Sequence, residues 1–221
     1  MCIFPEYNWT KEHIGYDVFK KGKIKCPYEK RVFNIGYLGE GRYNASINGK
    51  LTKCYKIWQH MLARCYDSKY IEKYPTYKDC IVHDSWHNFQ NFAGWFEKNF
   101  YQIEGERICL DKDILCKGNK MYSPDTCVFV PSRINTLFIK CDERRGDLPI
   151  GVSEHKPGYR VGVSCNNKYL KLGTFSTPHE AFLMYKLNKE LVIQGIANEC
   201  KDKIPTKLYE ALMNYKVEEG D

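Results

Sequence analysis

Acidic and amide side chains cluster in one short stretch of the chain, from Leu110 to Asn135, which reads LDKDILCKGNKMYSPDTCVFVPSRIN. Asp111 and Asp113 stand near its start, and it contains no histidine. Hydrolysis of a phosphodiester near neutral pH benefits from a general base such as histidine. Three interpretations are therefore open: a phosphodiesterase with a substituted base, a nuclease-derived DNA binder, or a coincidence of spacing.

The residues around these groups predict a strand, a loop, a second strand and the start of a helix. A β-type run ends at ICLDKD, a glycine-containing loop follows, and the run CVFV precedes PSRINTLF. Proline fits the helix start because its missing N–H would be unpaired there in any case. Asp111 then ends the first strand, and Asn135 lies in the helix.

Two amphipathic helices are predicted upstream, after a hairpin indicated by the glycines of NIGYLGEGRYNASINGKLTKCY. Their apolar residues recur at three- and four-residue steps: Trp58, Met61, Leu62 and Cys65 in the first helix, and Phe89, Phe92, Trp95 and Phe96 in the second. Aromatic rings could stack on nucleic-acid bases, but this periodicity favours packing in a core.

The segments YKIWQHMLARCYD, YKDCIVHDSWHNFQNF and YSPDTCVFVPSRIN, together with LDKD, resemble the phage-type branch of the His-Asn-His homing endonucleases. The resemblance covers approximately residues 33 to 140. It implies a ββα element of the His-Me finger type and metal-dependent cleavage of DNA. In that chemistry a magnesium or manganese ion offsets charge on the scissile phosphate while a base activates water.

Carried over residue by residue, the resemblance places the metal ligands on Asp111 or Asp113 and on Asn135, with Asn119 as the loop asparagine. LDKD is one residue shorter than the family pattern, so the base position falls on Asp111 or Lys112. Neither side chain is a good base near neutral pH, since their reference pKa values are ~3.9 and ~10.4. Cleavage by this site is therefore left open.

His83 could be recruited as the base, because Asp84 beside it could orient the imidazole and raise its basicity. The alternative is a histidine at a helix start, with Asp84 or Ser85 in the cap. The spacing of Cys80, His83 and His87 also suggests zinc, but the paired cysteine knuckles of structural zinc sites are missing, so zinc is not expected.

The charge, glycine and proline of residues 141–149, CDERRGDLP, predict a linker over residues 141–148 to a second domain. Three short alternating strands are predicted near residues 150–155, 159–165 and 168–175, with a turn at residues 166 and 167. Thr177, Pro178 and Glu180 then form the pattern of a capping box that opens a helix.

Alternation with period two assigns the faces of this predicted sheet. The residues expected to pack against the helix are Tyr159, Val161, Val163, Leu170 and Leu172. Those expected to face outward are Arg160, Gly162, Ser164, Tyr169 and Lys171, with His155, Lys156 and Lys168 at the rims. Residues 144–175 carry six basic and two acidic side chains, a net charge of +4 that should attract phosphates.

The segments GYRVGV, KLGTF and STPHEAFLMY, with Gly151-Val152, resemble the plant ethylene-response-factor DNA-binding domain, as found fused to phage His-Asn-His proteins. The resemblance covers residues 148 to about 195 and implies a sheet that lies in the DNA major groove. The DNA-binding residues it implies are Ser153, His155, Lys156, Arg160, Lys168, Tyr169 and Lys171. Ser153 and His155 stand where the family has arginines, and the family's groove tryptophans are missing.

The whole chain has 221 residues, a net charge of +7 and 43% hydrophobic residues, which predicts a folded protein that prefers polyanions. Its eleven scattered cysteines and the lack of an apolar signal segment favour a reduced, cytoplasmic protein without membrane association. We predict an α+β protein with an N-terminal domain over residues 1–140, including a basic N-terminal segment, and a C-terminal domain over residues 149–221.

Double-stranded DNA is the expected partner of this two-domain protein. The alternatives are an active metal-dependent nicking endonuclease and an inhibitor or regulator that binds a host protein. The segment after residue 200 is expected to form a short helix without an assigned function.

Overall fold

The computed structural model describes residues 26–139, 146–165 and 168–221. Within these ranges the chain is mixed α+β, as predicted, with six α-helices, three two-stranded sheets and one three-stranded antiparallel sheet. Most of the basic N-terminal segment, part of the linker and the turn predicted at residues 166 and 167 lie outside the described residues. No helix in these ranges is long and apolar enough to cross a membrane.

The N-terminal elements build a first core around two amphipathic helices. In chain order they are the hairpin β1 (Ser46–Ile47) and β2 (Lys50–Leu51), α1 (Lys53–Tyr66), α2 (Ser68–Lys73), β3 (Ile81–Val82) and α3 (Phe89–Asn99), with 3₁₀ turns at Pro75–Tyr77 and Asp84–His87. The predicted hairpin before the first helix is confirmed. Trp58, Met61 and Leu62 of α1 and Phe89 and Phe92 of α3 are all buried in this core, so their predicted packing is also confirmed.

A second antiparallel pair follows, formed by β4 (Ile108–Asp111) and β6 (Val128–Pro131). The short strand β5 (Met121–Tyr122) lies in the loop between them and pairs in parallel with β3. The helix α4 (Ser132–Asn135) begins directly after Pro131 and continues into a 3₁₀ turn at Thr136–Phe138. The predicted order of strand, loop, strand and helix is therefore present, although α4 is only one turn long.

The two faces of the β4–β6 pair belong to different cores, because neighbouring side chains of a strand point to opposite sides. Leu110 and Phe129, which are directly paired, pack in the first core. Val128 and Val130 point the other way, into a second core that includes Ile134 of α4. Asp111 is paired with Val128 and so lies on the side of this second core.

The C-terminal sheet consists of β7 (Val152–His155), β8 (Gly158–Cys165) and β9 (Lys168–Phe175), in that order and antiparallel throughout. It packs on α5 (Pro178–Cys200), which begins with the predicted capping box between Thr177 and Glu180. Val161 and Val163 are buried against α5, as predicted. Gly151, at φ +78°, lies against the ring of Tyr185, where a Cβ atom would come within 2.1 Å of the ring.

One residue of this sheet departs from the predicted pattern of burial. Leu170 pairs with the buried Val163 and shares its side of the sheet, yet Leu170 is 48% exposed. The prediction that Leu170 packs was wrong because β9 is an edge strand, with a neighbour on one side only. Leu172 is partly buried. The pairing of β8 with β9 is irregular at this point, because Val161 pairs with Gly173 while the next residue, Gly162, pairs with Lys171.

The helix α5 takes part in two cores. Its first half contributes Ala181, Phe182 and Tyr185 to the core beneath the sheet. Its second half enters the core behind the β4–β6 pair with Ile193, Ile196, Ala197 and Cys200. The C-terminal helix α6 (Thr206–Met213) adds Leu208 and Leu212 to that second core. Residues on both sides of the predicted linker therefore share one core, while the domain boundary itself stays a prediction.

Candidate functional site

The carboxylate of Asp111 is engaged in shaping the loop that follows β4. Its Oδ1 accepts hydrogen bonds from the backbone N–H groups of Asp113 and Ile114, both at 2.8 Å. Ile114 is buried in the second core, so these bonds connect the acid to the turn that brings Ile114 inward. Burial raises the pKa of the Asp111 carboxyl above its ordinary value, although the two N–H donors act in the opposite direction.

Lys112 is buried, with 6% of its surface exposed, and its ammonium group makes two hydrogen bonds. Nζ donates to the carboxylate of Asp113 and, at 2.8 Å, to the carbonyl oxygen of Asn119. It also lies 5.8 Å from the centre of the Tyr122 ring, within range of a cation–π contact. Both hydrogen bonds of Nζ are donations to oxygen atoms of the protein, so the group is not placed to take a proton from a water molecule as a general base would.

Asn119 closes the loop through its side-chain amide. Its Nδ2 donates to the carbonyl oxygens of Lys112 at 2.9 Å and Met121 at 2.6 Å, and its Oδ1 accepts from the N–H of Met121 at 3.1 Å. Thr126 donates to the same carbonyl of Met121 at 2.9 Å. The side chain of Asn119 therefore joins two parts of the loop backbone and fixes the position of Lys112.

Asn135 is the last residue of α4 and is half-buried. Among the described residues, no hydrogen bond joins its side chain to Asp111 or Asp113. The structure therefore brings Asp111, Lys112, Asp113 and Asn119 together in one loop without a contact that links Asn135 to them.

His83 lies at the start of a short helical turn, which is the alternative to a catalytic role. It is the N-cap of the 3₁₀ turn, and its Nδ1 lies 2.8 Å from Ser85 Oγ and accepts from the Ser85 N–H at 3.3 Å. Asp84 instead faces His87, with 3.7 Å between Oδ1 and Nδ1. The contacts of His83 in the described structure therefore include no carboxylate that would orient its ring as a base.

A divalent metal ion fits this loop poorly. The ammonium of Lys112 already occupies the space between the Asp113 carboxylate and the Asn119 carbonyl, and a second cation there would be repelled. One oxygen of Asp111 is already used by two backbone donors. In the part of the chain that the structure describes, no group of three or more His, Cys, Asp or Glu side chains is arranged to hold a metal, zinc included.

The outer face of the C-terminal sheet carries the second set of predicted residues. The register aligns Ser153, Arg160 and Thr174 across the three strands, followed by the pairs Gly162 with Lys171 and Ser164 with Tyr169. Two steps of alternation from Ser153 place His155 on the same face. Lys168 precedes Tyr169 in β9, so its side chain lies on the face of the sheet opposite to that of Tyr169 and Lys171. Lys156 lies in the turn between β7 and β8.

Tyr169 covers Gly162, a contact that was not predicted from the sequence. A Cβ atom on Gly162 would lie 2.2 Å from the Tyr169 ring, so glycine is what allows the ring to lie across the central strand. The signal that could have shown this is a glycine at an exposed position inside a strand, which often marks close approach by another group. Tyr169 remains 55% exposed and forms an aromatic surface beside Arg160 and Lys171.

Replacing Asp111 with asparagine is expected to stabilise the protein more at pH 7 than near pH ~3.5. The lower pH is below ~3.9, the reference pKa of an aspartate side chain. A carboxyl whose pKa is raised on folding favours the folded state while it is protonated, and that contribution is lost as pH rises through the folded-state pKa. Asparagine keeps the acceptor oxygen and cannot ionise. Urea unfolding at both pH values measures the difference.

The exposed Asp125→Asn variant is the control for this experiment, since it also removes one negative charge from the loop. An Asp111→Asn variant that is destabilised more at pH 7 than in acid would contradict the expectation. Such a result would mean that the folded protein needs the charged carboxylate, as a cation site would.

No protein-family model matches the chain, and no match is found among curated proteins or solved structures. The resemblances therefore rest on the sequence segments that carry them.

Proposed function

We propose that this protein binds double-stranded DNA through the outer face of the β7–β9 sheet. The observation that carries the proposal is the chemical composition of that face. It combines the guanidinium of Arg160 and the ammonium of Lys171 with the hydroxyl and imidazole groups of neighbouring residues, and no acidic residue of the three strands, as the structure describes them, faces this side. Glu154, the one acid in these strands, pairs with Tyr159 and lies on the opposite side.

The size of the sheet suits the DNA major groove. Neighbouring strands lie ~4.8 Å apart, so three strands span ~10 Å, against a groove width of ~12 Å. Arg160 is on the central strand and Lys171 on an edge strand. A central arginine can contact a guanine with two hydrogen bonds, while a lysine at the edge and the hydroxyls of Ser153, Ser164 and Thr174 can contact phosphates.

The β4–α4 region supports binding without cleavage. A nuclease of the type that the region resembles needs a divalent ion and a base, whereas Lys112 here fills the cation position and His83 is a cap. We therefore infer that this region serves as a folded support, and that the protein leaves supercoiled plasmid intact with magnesium or manganese. Nicking that requires either metal and disappears in Asp111→Ala would overturn this part of the proposal.

Reversing the charges of Arg160 and Lys171 together, by substitution with glutamate, is expected to weaken binding to a duplex by at least tenfold. Each phosphate contact contributes ~0.9 to the slope of log K against log salt. Loss of the phosphate contact of Lys171 should therefore make the slope shallower by ~0.9. Fluorescence anisotropy with a labelled random-sequence duplex, titrated at several salt concentrations, measures both quantities.

The control is the pair Lys69→Glu and Lys203→Glu, which changes the net charge equally at exposed positions in α2 and after α5. If the sheet variant binds as tightly as the wild type with the same salt slope, the sheet does not contact DNA. An equal loss in both double variants would mean that net charge, and not this face, determines affinity.

A further inference from the structure

A cavity of about 190 Å³ between α1 and β4 is lined by basic side chains. The basic residues that line it are Lys53, Lys56, His60 and Arg64 of α1 and Arg107, which directly precedes β4. No aspartate or glutamate contributes to its lining, and its floor consists of Ile57, Ile108, Cys109 and Leu110. A cleft with cationic walls and an apolar floor focuses positive potential at its centre.

The four residues of α1 form one row because their spacings of three, four and four residues return to the same side of a helix. The row is ~16 Å long at 1.5 Å per residue. Lys53, Lys56 and His60 are exposed and lie away from the buried face of α1, whereas Arg64 is half-buried. Arg107 faces the row from another element, so the tertiary fold and not the helix alone encloses the cavity.

The charges in this cleft are not neutralised within the described residues. Lys56, His60 and Arg107 make no ion pair or side-chain hydrogen bond there, while Lys53 bonds only the neutral Gln102, at 2.7 Å. Arg64 lies among tyrosines: it donates to the Tyr122 hydroxyl at 3.4 Å, and its guanidinium is 5.5 Å from the centre of the Tyr77 ring. Lys56 and Arg107 are the exposed basic groups that remain available to an anion in this cleft.

We propose that this cleft binds a phosphate group of the DNA backbone and gives the N-terminal part its own contact with the duplex. The inference rests on the proposed function, because it names DNA as the source of the phosphate. The cavity is smaller than the ~300 Å³ at which small-molecule pockets begin, so it suits one phosphate group better than a whole metabolite. The adjoining lysines Lys53 and Lys56 can contact the neighbouring phosphates.

The test is Lys56→Glu combined with Arg107→Glu, both exposed positions, in the full chain. We expect at least tenfold weaker binding to a random-sequence duplex and a salt slope shallower by ~0.9, as for the loss of one phosphate contact, with urea unfolding unchanged. The pair Lys69→Glu and Lys203→Glu again serves as the control. Unchanged duplex affinity and slope in the cleft variant would overturn the inference, even if the Arg160 and Lys171 variant shows that the sheet binds DNA.

A second measurement separates DNA from a free phosphate. Inorganic phosphate is titrated into the wild type and the cleft variant while the melting temperature is followed. If phosphate stabilises only the wild type and the cleft variant retains full affinity for DNA, the cleft binds a small phosphate ligand and the inference is overturned. If the wild type binds no duplex, the proposed function fails together with the inference, whereas a loss confined to the sheet variant overturns the cleft alone.

Discussion

Trp58→Ala is expected to lower the free energy of unfolding by about 3–5 kcal/mol, the usual cost of removing a large buried aromatic side chain. Trp58 is fully buried in the first core, where its ring centre lies 5.5 Å from that of Tyr55 and 5.4 Å from that of Phe89. Alanine would leave a cavity that these rings cannot fill without moving. Urea unfolding followed by fluorescence of the remaining tryptophans measures the change.

Trp58→Phe separates the packing contribution from the hydrogen bond. It keeps an aromatic ring in the core but loses the donor that bonds the carbonyl oxygen of Trp86 at 2.7 Å. An unsatisfied buried carbonyl costs about 1–3 kcal/mol. The free energy of unfolding of this variant should therefore lie between those of the wild type and the alanine variant. An alanine variant of nearly normal stability with impaired DNA binding would instead assign Trp58 to stacking on bases.

Leu208→Ala is expected to lower the free energy of unfolding by about 2–5 kcal/mol. Leu208 lies in α6, the helix for which the sequence predicted no function. Leu208 has no exposed surface and packs in the core that also holds Val128, Val130 and Ile134. The terminal helix α6 therefore covers one face of the β4–β6 pair. Chemical denaturation of the variant measures the cost.

Leu187→Ala is the matched control, since it makes the same substitution on α5 at a position that is 59% exposed. Exposed substitutions of this kind usually change stability by less than ~0.5 kcal/mol. If both leucine variants lose the same stability, the effect comes from the intrinsic helix propensity of leucine. A Leu208→Ala variant as stable as the wild type would show that α6 does not support the second core.

The sequence by itself determined the elements whose formation depends on neighbours along the chain. Spacings of three and four residues identified the buried faces of α1 and α3, and Thr177 with Glu180 marked the start of α5. Alternation assigned Arg160 and Lys171 to one face of the sheet. These predictions succeeded because helix periodicity, strand alternation and capping are local properties of the backbone.

Only the tertiary structure decided what the chemically suggestive residues touch. Lys112 resembles a substituted base in the sequence, but Asn119 and Asp113 hold its ammonium after the loop has closed. Arg107 completes a basic cleft with α1 although the two are far apart in the chain. Such contacts depend on how separate elements pack, and residue spacing carries no information about that packing.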